Sequence, residues 1–248
     1  MGDEKMQRTI SAMVGKGSVN HNSRKFRAEN VDGTRTHLNI DYCNENIKTV
    51  YHELFDEALE RYNAKQTRSD RKIKDYYEKI RSSKQEKPFR EIILQVGGKG
   101  NMNADTENGD LAKQVLNEYY QGFQERNPQL RVFSAHLHMD EATPHLHIDF
   151  VPFTTGSKRG LDTRVSLKQA LAAQGFKGGS RGDTEWNQWV QSEKEQLAAV
   201  MERHGIEWEH KGTHEKHLSV LDYKKQEREK EINALEDKLA EKKDEFRV

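Results

Sequence analysis

The chain has 248 residues, 41 basic and 41 acidic side chains, no formal net charge at pH 7 and a hydrophobic fraction of 33%. This length suits one large domain with a smaller appended segment, and the neutral charge argues against DNA binding through an overall basic field. Cys43 is the only cysteine, which excludes an intrachain disulfide and a cysteine-based zinc site, and no apolar run is long enough to cross a bilayer.

Hydrophobic periodicity predicts strands mixed with helices along the first two hundred residues. The predicted strands are 9–14, 36–42, 89–96, 131–138 and 145–152. The predicted helices are 46–64, 69–83, 105–125 and 184–204. Because the last two strands are joined by a short polar loop, the order predicts an α+β fold class with a mainly antiparallel sheet of about five strands, flanked by helices.

Residues 220–248 are predicted to form a separate, highly charged helix. Ile232, Leu235 and Leu239 fall at alternating spacings of three and four, which is typical of a coiled-coil seam. We therefore expect two parts, residues 1–219 and residues 220–248, with a homodimer formed through the second part.

The stretch HMDEATPHLHID, residues 138–149, carries the clearest candidate chemistry. Side chains alternate faces along a strand, so His145, His147 and Asp149 share one face, and a hairpin places His138 across from His145. Three imidazoles on one rigid surface can form a metal site with open positions, so His138, His145 and His147 are the predicted ligands. Glu141, in the loop, is predicted to orient a ligand or to accept a proton.

The same alternation divides the preceding predicted strand. The residues predicted to face the metal side are Ser134, His136 and His138. The residues predicted to face the core are Phe133, Ala135 and Leu137.

Other metal-enzyme patterns fit this stretch less well. A zincin needs two histidines at helical spacing with a glutamate between them, and a zinc deaminase needs a cysteine pair. The segment HLHMDE, residues 136–141, approaches the HxHxDH pattern of two-metal hydrolases, except that Glu141 stands where the last histidine belongs. A two-metal phosphoesterase therefore remains an alternative.

The spacing of His138, Asp140, Glu141, Pro144, His145 and His147 resembles the metal-binding motif of plasmid mobilization relaxases of the Mob/Pre (MobV) family, which belong to the HUH endonucleases. HUH denotes histidine–hydrophobe–histidine. Upstream, HNSRKF at residues 21–26 and NVDGTRTHLN at residues 30–39 resemble the first motif of this family. The resemblance covers about residues 9–220 and implies an HUH-type domain.

The resemblance implies metal-dependent, site- and strand-specific nicking and rejoining of DNA at a transfer origin, which starts conjugative mobilization. The reaction is a transesterification that releases a 3′-hydroxyl and keeps the 5′-phosphate on the protein. Mn²⁺ is the expected metal, with Mg²⁺, Zn²⁺, Co²⁺ and Ni²⁺ as alternatives. The expected partners are single-stranded or hairpin origin DNA and a conjugative coupling protein, in the bacterial cytoplasm and without a membrane.

The resemblance also assigns the nucleophile. The histidine of the first motif maps onto His21, whose neutral imidazole is a competent nucleophile near pH 7. Some members have a tyrosine where this chain has Ile40, so Tyr42, two residues later, is the alternative nucleophile. Arg24 is predicted to hold the phosphate or to keep His21 uncharged.

DNA contacts are expected from Asn22 and from the basic, glycine-rich segment 156–182. This segment offers Lys158, Arg159, Arg164, Lys177 and Arg181. A DNA-binding or replication-associated module without catalysis, in which the histidines only position DNA, is the other alternative function.

Overall fold

Two units make up the chain, Met1–His210 and Lys211–Val248. The computed structural model describes residues 6–210 and, in the second unit, residues 225, 228–233, 235 and 236, all of them helical. The predicted boundary at 219/220 and most of the predicted C-terminal helix lie outside the described residues. None of the helices in the described part of the chain is both long and apolar enough to traverse a bilayer.

The strands, in chain order, are β1 (Met6–Arg8), β2 (Ile10–Val14), β3 (Ile40–Asn44), β4 (Arg90–Val96), β5 (Leu130–His138), β6 (His145–Thr154), β7 (Arg164–Val165) and β8 (Ile206–Trp208). The α-helices are α1 (Val19–Asn22), α2 (Ile47–Ala64), α3 (Tyr76–Arg81), α4 (Glu107–Gln121), α5 (Phe123–Arg126), α6 (Leu167–Ala173) and α7 (Glu185–Arg203). Short polar side chains fix the starts of the longer helices: the Thr106 hydroxyl accepts from the amide of Gly109, and the Thr184 hydroxyl accepts from that of Asn187.

The main sheet has the strand order β2–β4–β6–β5–β3, with every neighbouring pair antiparallel, and β7 pairs with the far end of β6. The predicted α+β fold with an antiparallel sheet of about five strands is therefore confirmed. β1 and β8 form a separate parallel pair.

The two faces of the sheet bury different side chains. On one face, Leu94, Leu137 and Ile148 pack against α4 and α7, with Trp189 fully buried among them. On the other face, α2 and α3 cover the end of the sheet near Val151 and form a second, smaller core. The remainder of this second face carries the histidines, because the period of two along β6 places them opposite the main core.

A β-bulge in β5 changes the predicted facing of one residue. Val132 pairs with Phe150 and Ser134 pairs with Asp149, so Phe133 is the extra residue between them. Its side chain turns into the second core with Val151 instead of joining Ala135 and Leu137. The prediction for Phe133 was wrong because one inserted residue reverses the alternation locally.

Several elements differ from the periodicity prediction. The predicted strand 36–42 begins as a 3₁₀ turn, Thr36–Leu38, and becomes a strand only at Ile40. The predicted helix 69–83 is a 3₁₀ turn, Ser69–Arg71, followed by the shorter α3. Five short elements (α1, α6, β1, β7 and β8) were not predicted, because stretches of two to seven residues carry little periodic signal.

Candidate metal centre and active site

Three histidines meet where the β5–β6 hairpin closes. His138, the last residue of β5, pairs with His145, the first residue of β6, and His147 lies two residues further along the same face. Nδ1 of His138 is 3.4 Å from Nε2 of His145, and the ring centroids of His138 and His147 are 4.7 Å apart. The structure thus brings together the three residues predicted as metal ligands.

The outer ring nitrogen of each histidine is held by an oxygen. Nε2 of His138 lies 2.8 Å from the carbonyl of Asn22, Nδ1 of His145 lies 2.8 Å from that of Thr143, and Nδ1 of His147 lies 2.6 Å from Oε1 of Glu91. These nitrogens must carry the protons, so the nitrogens that face one another carry lone pairs.

This arrangement fits a cation. Lone pairs on Nδ1 of His138 and Nε2 of His145 repel one another at this distance unless a positive charge lies between them. Nε2 of His147 is buried and has no hydrogen-bond partner among the described residues. A divalent ion that accepts nitrogen ligands would pair with these atoms. Of the groups whose ligand atoms lie within 4.8 Å of one another, one contains His138 and His147 and another contains His138 and His145.

Burial keeps two of these rings neutral. It lowers the pKa of His138 far below its ordinary value, and the neighbouring His147, His145 and Arg24 lower it further. Burial also lowers the pKa of His147 to about 4, although the carboxylate of Glu91 opposes this shift. Both imidazoles are therefore uncharged near pH 7, which metal binding requires.

Glu91 is a site residue that periodicity did not identify. It lies on β4 beside His147, is buried, and accepts hydrogen bonds from His147, the amide of Gly17 and the side chain of Asn22. Burial alone would raise its pKa, but these hydrogen bonds outweigh burial and lower it. The sequence feature that could have identified Glu91 is its position inside the apolar run FREIILQV, because a carboxylate buried there needs polar partners.

Asn22 lies inside the protein and not at an open DNA-facing position. Its side-chain nitrogen donates to Oε1 of Glu91 at 2.8 Å and to Oδ2 of Asp149 at 3.0 Å. Asp149 also accepts from the hydroxyl of Ser134. Burial, followed by the nearby charge of Glu91, raises the pKa of Asp149 to about 7. Asn22 therefore bridges two buried acids beneath the histidines, which leaves its side chain no exposed group for DNA.

His21, the predicted nucleophile, stands beside the cluster at the end of α1. Its Nε2 is 3.5 Å from Oε1 of Glu141, and its ring centroid is 6.0 Å from that of His138. One ring nitrogen of His21 lies within 4.8 Å of ligand nitrogens of His138 and His147, and the ligand atoms of His138, Glu141 and His145 form a second group of this kind. The geometry thus permits His21 either to act next to the metal or to bind it.

Glu141 lies among five polar side chains, those of His21, Arg24, Asn30, His138 and His145. Its Oε1 accepts from Arg24 at 2.9 Å and lies 3.9 Å from Nδ1 of His138 and 3.8 Å from Nε2 of His145. Burial would raise its pKa, but the hydrogen bond with His21 and the neighbouring positive groups lower it well below its ordinary value. Glu141 is therefore a carboxylate that faces both His21 and the predicted ligands.

Arg24 is mostly buried and paired with acids. It donates to both carboxylate oxygens of Asp140 and to Glu141, and its Nη1 is 3.4 Å from Nε2 of His21. Its side chain is only 8% exposed and its φ is +56°, an uncommon conformation for a residue with a Cβ. The structure places Arg24 where it fixes the His21 turn, with little surface left for a phosphate.

Tyr42, the alternative nucleophile, lies on the opposite face of the sheet. Its hydroxyl donates to Asn117 on α4, and its ring stacks on Tyr120 at 4.0 Å. A bulge between Asp41 and Cys43 turns the side chain towards the main core. Burial raises the pKa of Tyr42, which disfavours the phenolate that attack requires.

The predicted basic DNA contacts lie at the far end of β6. Lys158, Arg159 and Arg164 line an open cavity of about 610 Å³ formed by Thr154–Arg159 and residues of α6. Lys177 and Arg181 are exposed in the loop before α7. Thr154 lies seven positions after His147 on β6, which corresponds to roughly 23 Å at about 3.3 Å per residue.

Comparison with solved structures identifies the fold. The fold is similar to the relaxase domain of MobM, described as a MOBV (Mob_Pre) domain bound to plasmid pMV158 oriT DNA with manganese. The TM-score is 0.51 at 21% sequence identity, over 88% of this chain and 98% of that domain. This likeness shows a relaxase-type fold.

Sequence comparison gives the family. The family model Mob_Pre, described as plasmid recombination enzyme, matches residues 18–225, so the chain belongs to the Mob_Pre family. Similar curated proteins include plasmid recombination enzyme type 2 of Staphylococcus aureus, 27% identical over 98% of this chain and 50% of its own length. Another is plasmid recombination enzyme type 3 of Mammaliicoccus lentus, 29% identical over 62% of this chain and 33% of its own length. The chain thus spans half or less of these relatives, and the resemblance to the Mob/Pre family is confirmed.

Proposed function

We propose that this chain is a metal-dependent DNA relaxase domain that nicks and rejoins one strand at a plasmid or mobile-element transfer origin and so initiates conjugative mobilization. The observation that carries the proposal is the position of His21, which lies beside three histidines whose facing nitrogens lack protons. The Mob_Pre match and the relaxase-type fold support the same reaction. MobM is described with manganese and oriT DNA, and we extend both to this chain.

His21 is the nucleophile in this proposal. A ring nitrogen attacks the scissile phosphorus as the bond from phosphorus to the 3′ oxygen breaks, leaving the 5′-phosphate joined to His21. The imidazole loses its remaining ring proton, and the departing 3′ oxygen takes up a proton to become a hydroxyl. A divalent cation held by His138, His145 and His147, with Mn²⁺ as the proposed metal, would neutralise charge on a non-bridging phosphate oxygen.

Glu141 and Arg24 orient the nucleophile. Both groups face Nε2 of His21, at 3.5 Å and 3.4 Å, and Arg24 is in turn anchored by Asp140. The imidazole is thus placed before DNA binds, which reduces the reorganisation needed for attack. The histidine–phosphate bond keeps the energy of the phosphodiester, so a free 3′-hydroxyl can attack it and rejoin the strand.

DNA extends in this proposal from the histidines to the basic residues at the other end of β6. Lys158 and Arg159 are exposed and have no ion pair with any described residue, and with Arg164 they give the cavity three cations and no acid. Phosphates of single-stranded or hairpin origin DNA match this charge, with Lys177 and Arg181 as further contacts.

The test is denaturing electrophoresis after incubation with Mn²⁺ and supercoiled DNA that carries the non-coding region beside the chain's own gene. Wild type is compared with His21→Ala, Tyr42→Phe and His145→Ala, and primer extension maps the nick. We expect a covalent DNA–protein band that is lost in His21→Ala and His145→Ala and kept in Tyr42→Phe. DNA binding without any covalent band would instead support a non-catalytic binding module, and turnover of small phosphoesters that survives His21→Ala would support the two-metal phosphoesterase.

The partners beyond DNA are proposed from the sequence. Ile232 and Leu235 are helical and exposed, as a coiled-coil seam requires before it pairs, so we propose a homodimer through the C-terminal segment. Sedimentation of chains with and without residues 221–248 tests this. Mobilization takes place in the bacterial cytoplasm and requires a coupling protein, so we propose both for this chain. Co-purification with the transfer apparatus tests the coupling protein.

A further inference from the structure

Phe26 is an exposed aromatic residue close to the proposed nucleophile. Its side chain is 61% exposed, whereas the other phenylalanines of residues 6–210 are buried or half-buried. Large apolar side chains on a protein surface are informative when they stand next to a functional group. The proposed reaction gives Phe26 no role.

The backbone around Phe26 is held in place. The amide of Phe26 donates to the carbonyl of Asn20 at 2.9 Å, and the amide of Arg24 donates to the carbonyl of His21 at 3.0 Å. The left-handed backbone conformation of Arg24 reverses the direction of the chain within residues 20–26. Phe26 and His21 therefore project from one closed turn, which Arg24 fastens to Asp140 and Glu141.

The charge around Phe26 matches a polyanion. Residues 23–28 read SRKFRA, and since Arg24 is paired with Asp140 and Glu141, the cations left to a ligand are Lys25 and Arg27. Lys25 and Arg27, which flank Phe26, are exposed and have no ion pair with any described residue. An aromatic ring between free cations is the surface that single-stranded nucleic acids favour, because bases stack on the ring while phosphates meet the charges.

We propose that Phe26 stacks on a nucleobase next to the scissile phosphate and so sets the position of the DNA strand over His21. The inference rests on the proposed function, since it takes single-stranded DNA as the substrate. Stacking accepts any base, so Phe26 positions the strand without choosing its sequence. Lys25 and Arg27 contact the phosphates on either side of the stacked base.

The experiment combines protein variants with abasic DNA. Oligonucleotides spanning the mapped nick, each with one abasic position, are titrated by fluorescence anisotropy against wild type, Phe26→Ala and Phe26→Trp, all loaded with Mn²⁺. Removal of the stacked base should weaken wild-type binding by roughly 5- to 100-fold at one position adjacent to the nick. Phe26→Ala should bind intact DNA more weakly than wild type by the same factor, and the abasic position should not lower its affinity further. Phe26→Trp should keep the wild-type affinity at every position.

Val14→Ala is the matched control, because Val14 is an apolar side chain of similar exposure, 62%, that does not lie on the His21 turn. It should leave both the affinity and the abasic profile unchanged. Equal losses at every abasic position in wild type and Phe26→Ala, or unchanged affinity of Phe26→Ala for intact DNA, would overturn the inference. Nicking by wild type in the same samples would then show that the proposed function stands without it.

Discussion

The carboxylate of Glu141 lies 3.5 Å from Nε2 of His21 and less than 4 Å from the facing nitrogens of His138 and His145. One acid thus contacts both the proposed nucleophile and two proposed ligands. A ring nitrogen of His21 lies within 4.8 Å of nitrogens of His138 and His147, close enough for one ion to bind all three. Whether His21 is the nucleophile or a metal ligand can therefore be tested directly.

Replacement of His21 should abolish the covalent adduct and leave metal binding intact. His21→Ala removes the attacking nitrogen but none of the three facing nitrogens of His138, His145 and His147. We expect its affinity for Mn²⁺, measured by isothermal titration calorimetry, to stay within about twofold of wild type, a change of less than about 0.5 kcal/mol. His147→Ala serves as the comparison and should lose most of the affinity. A large loss in His21→Ala would identify His21 as a ligand.

Glu91→Gln should weaken metal binding without removing a ligand. The carboxylate of Glu91 accepts from Nδ1 of His147 and so directs Nε2 towards the other histidines. Replacement of such supporting groups typically costs about 10- to 100-fold in metal affinity. Calorimetric titration with Mn²⁺ measures the change, and Glu86→Gln, an acid outside the site, is the control. Equal affinities for wild type and Glu91→Gln would refute the supporting role.

Gly15→Ala should displace the carboxylate of Glu91 by steric overlap. A Cβ on Gly15 would lie 1.8 Å from Oε2 of Glu91, whereas a Cβ on Gly98 meets no atom within 4 Å. We expect Gly15→Ala to lower the free energy of unfolding by about 1–3 kcal/mol, as overpacking does, and to weaken Mn²⁺ binding as well. Urea denaturation and metal titration of both variants measure the two effects. Similar behaviour of Gly15→Ala and Gly98→Ala would contradict this close packing.

Tyr42→Phe should retain nicking and lose a little stability. The hydroxyl of Tyr42 donates to Asn117 on the face opposite the histidines, so its removal costs about 0.5–1.5 kcal/mol, the usual net value of one hydrogen bond. Burial raises the pKa of Tyr42, so the hydroxyl remains protonated through neutral pH and ionises only above its ordinary range. The nicking rates of wild type and Tyr42→Phe should therefore agree from pH 6 to 9. Loss of the adduct in Tyr42→Phe would make Tyr42 the nucleophile.

Lys158→Ala with Arg159→Ala should weaken DNA binding in a salt-dependent manner. Each phosphate contact adds about 0.7 to the slope of log affinity against log salt for single-stranded DNA. The double variant should therefore show a shallower slope than wild type, measured by anisotropy over a range of NaCl concentrations. Lys72→Ala, an exposed cation before α3, should keep the wild-type slope. Identical slopes for all three proteins would remove the cavity from the DNA path.

The sequence predicted those parts of the site that follow from strand periodicity and adjacency along the chain. The pairing of His138 with His145 is an example, because a short hairpin loop and a period of two determine it together. Glu91 could not be placed, since its contact with His147 depends on which strand lies next to β6 in the sheet. Asn22 was predicted to contact DNA, and Arg24 to hold the phosphate or to keep His21 uncharged. Local sequence does not reveal that their partners, Asp149 and Asp140, are more than a hundred residues away. Phe133 was predicted to share a face with Ala135 and Leu137, and this was wrong because a β-bulge leaves no periodic signal in the sequence.

The pairing of β1 with β8 has a consequence for how the domain is completed during synthesis. Gln7 and Glu207, which face each other across this pair, are separated by 200 positions, so β1 leaves the ribosome long before its partner exists. Thr9 alone separates β1 from β2, the edge strand of the histidine sheet. A nascent chain that stops before Ile206 therefore holds β1 as an unpaired strand beside that edge, open to pairing with another chain. Only a chain that has passed Trp208 can pair β1 with β8, so β1 gains this partner about 200 positions after its own synthesis.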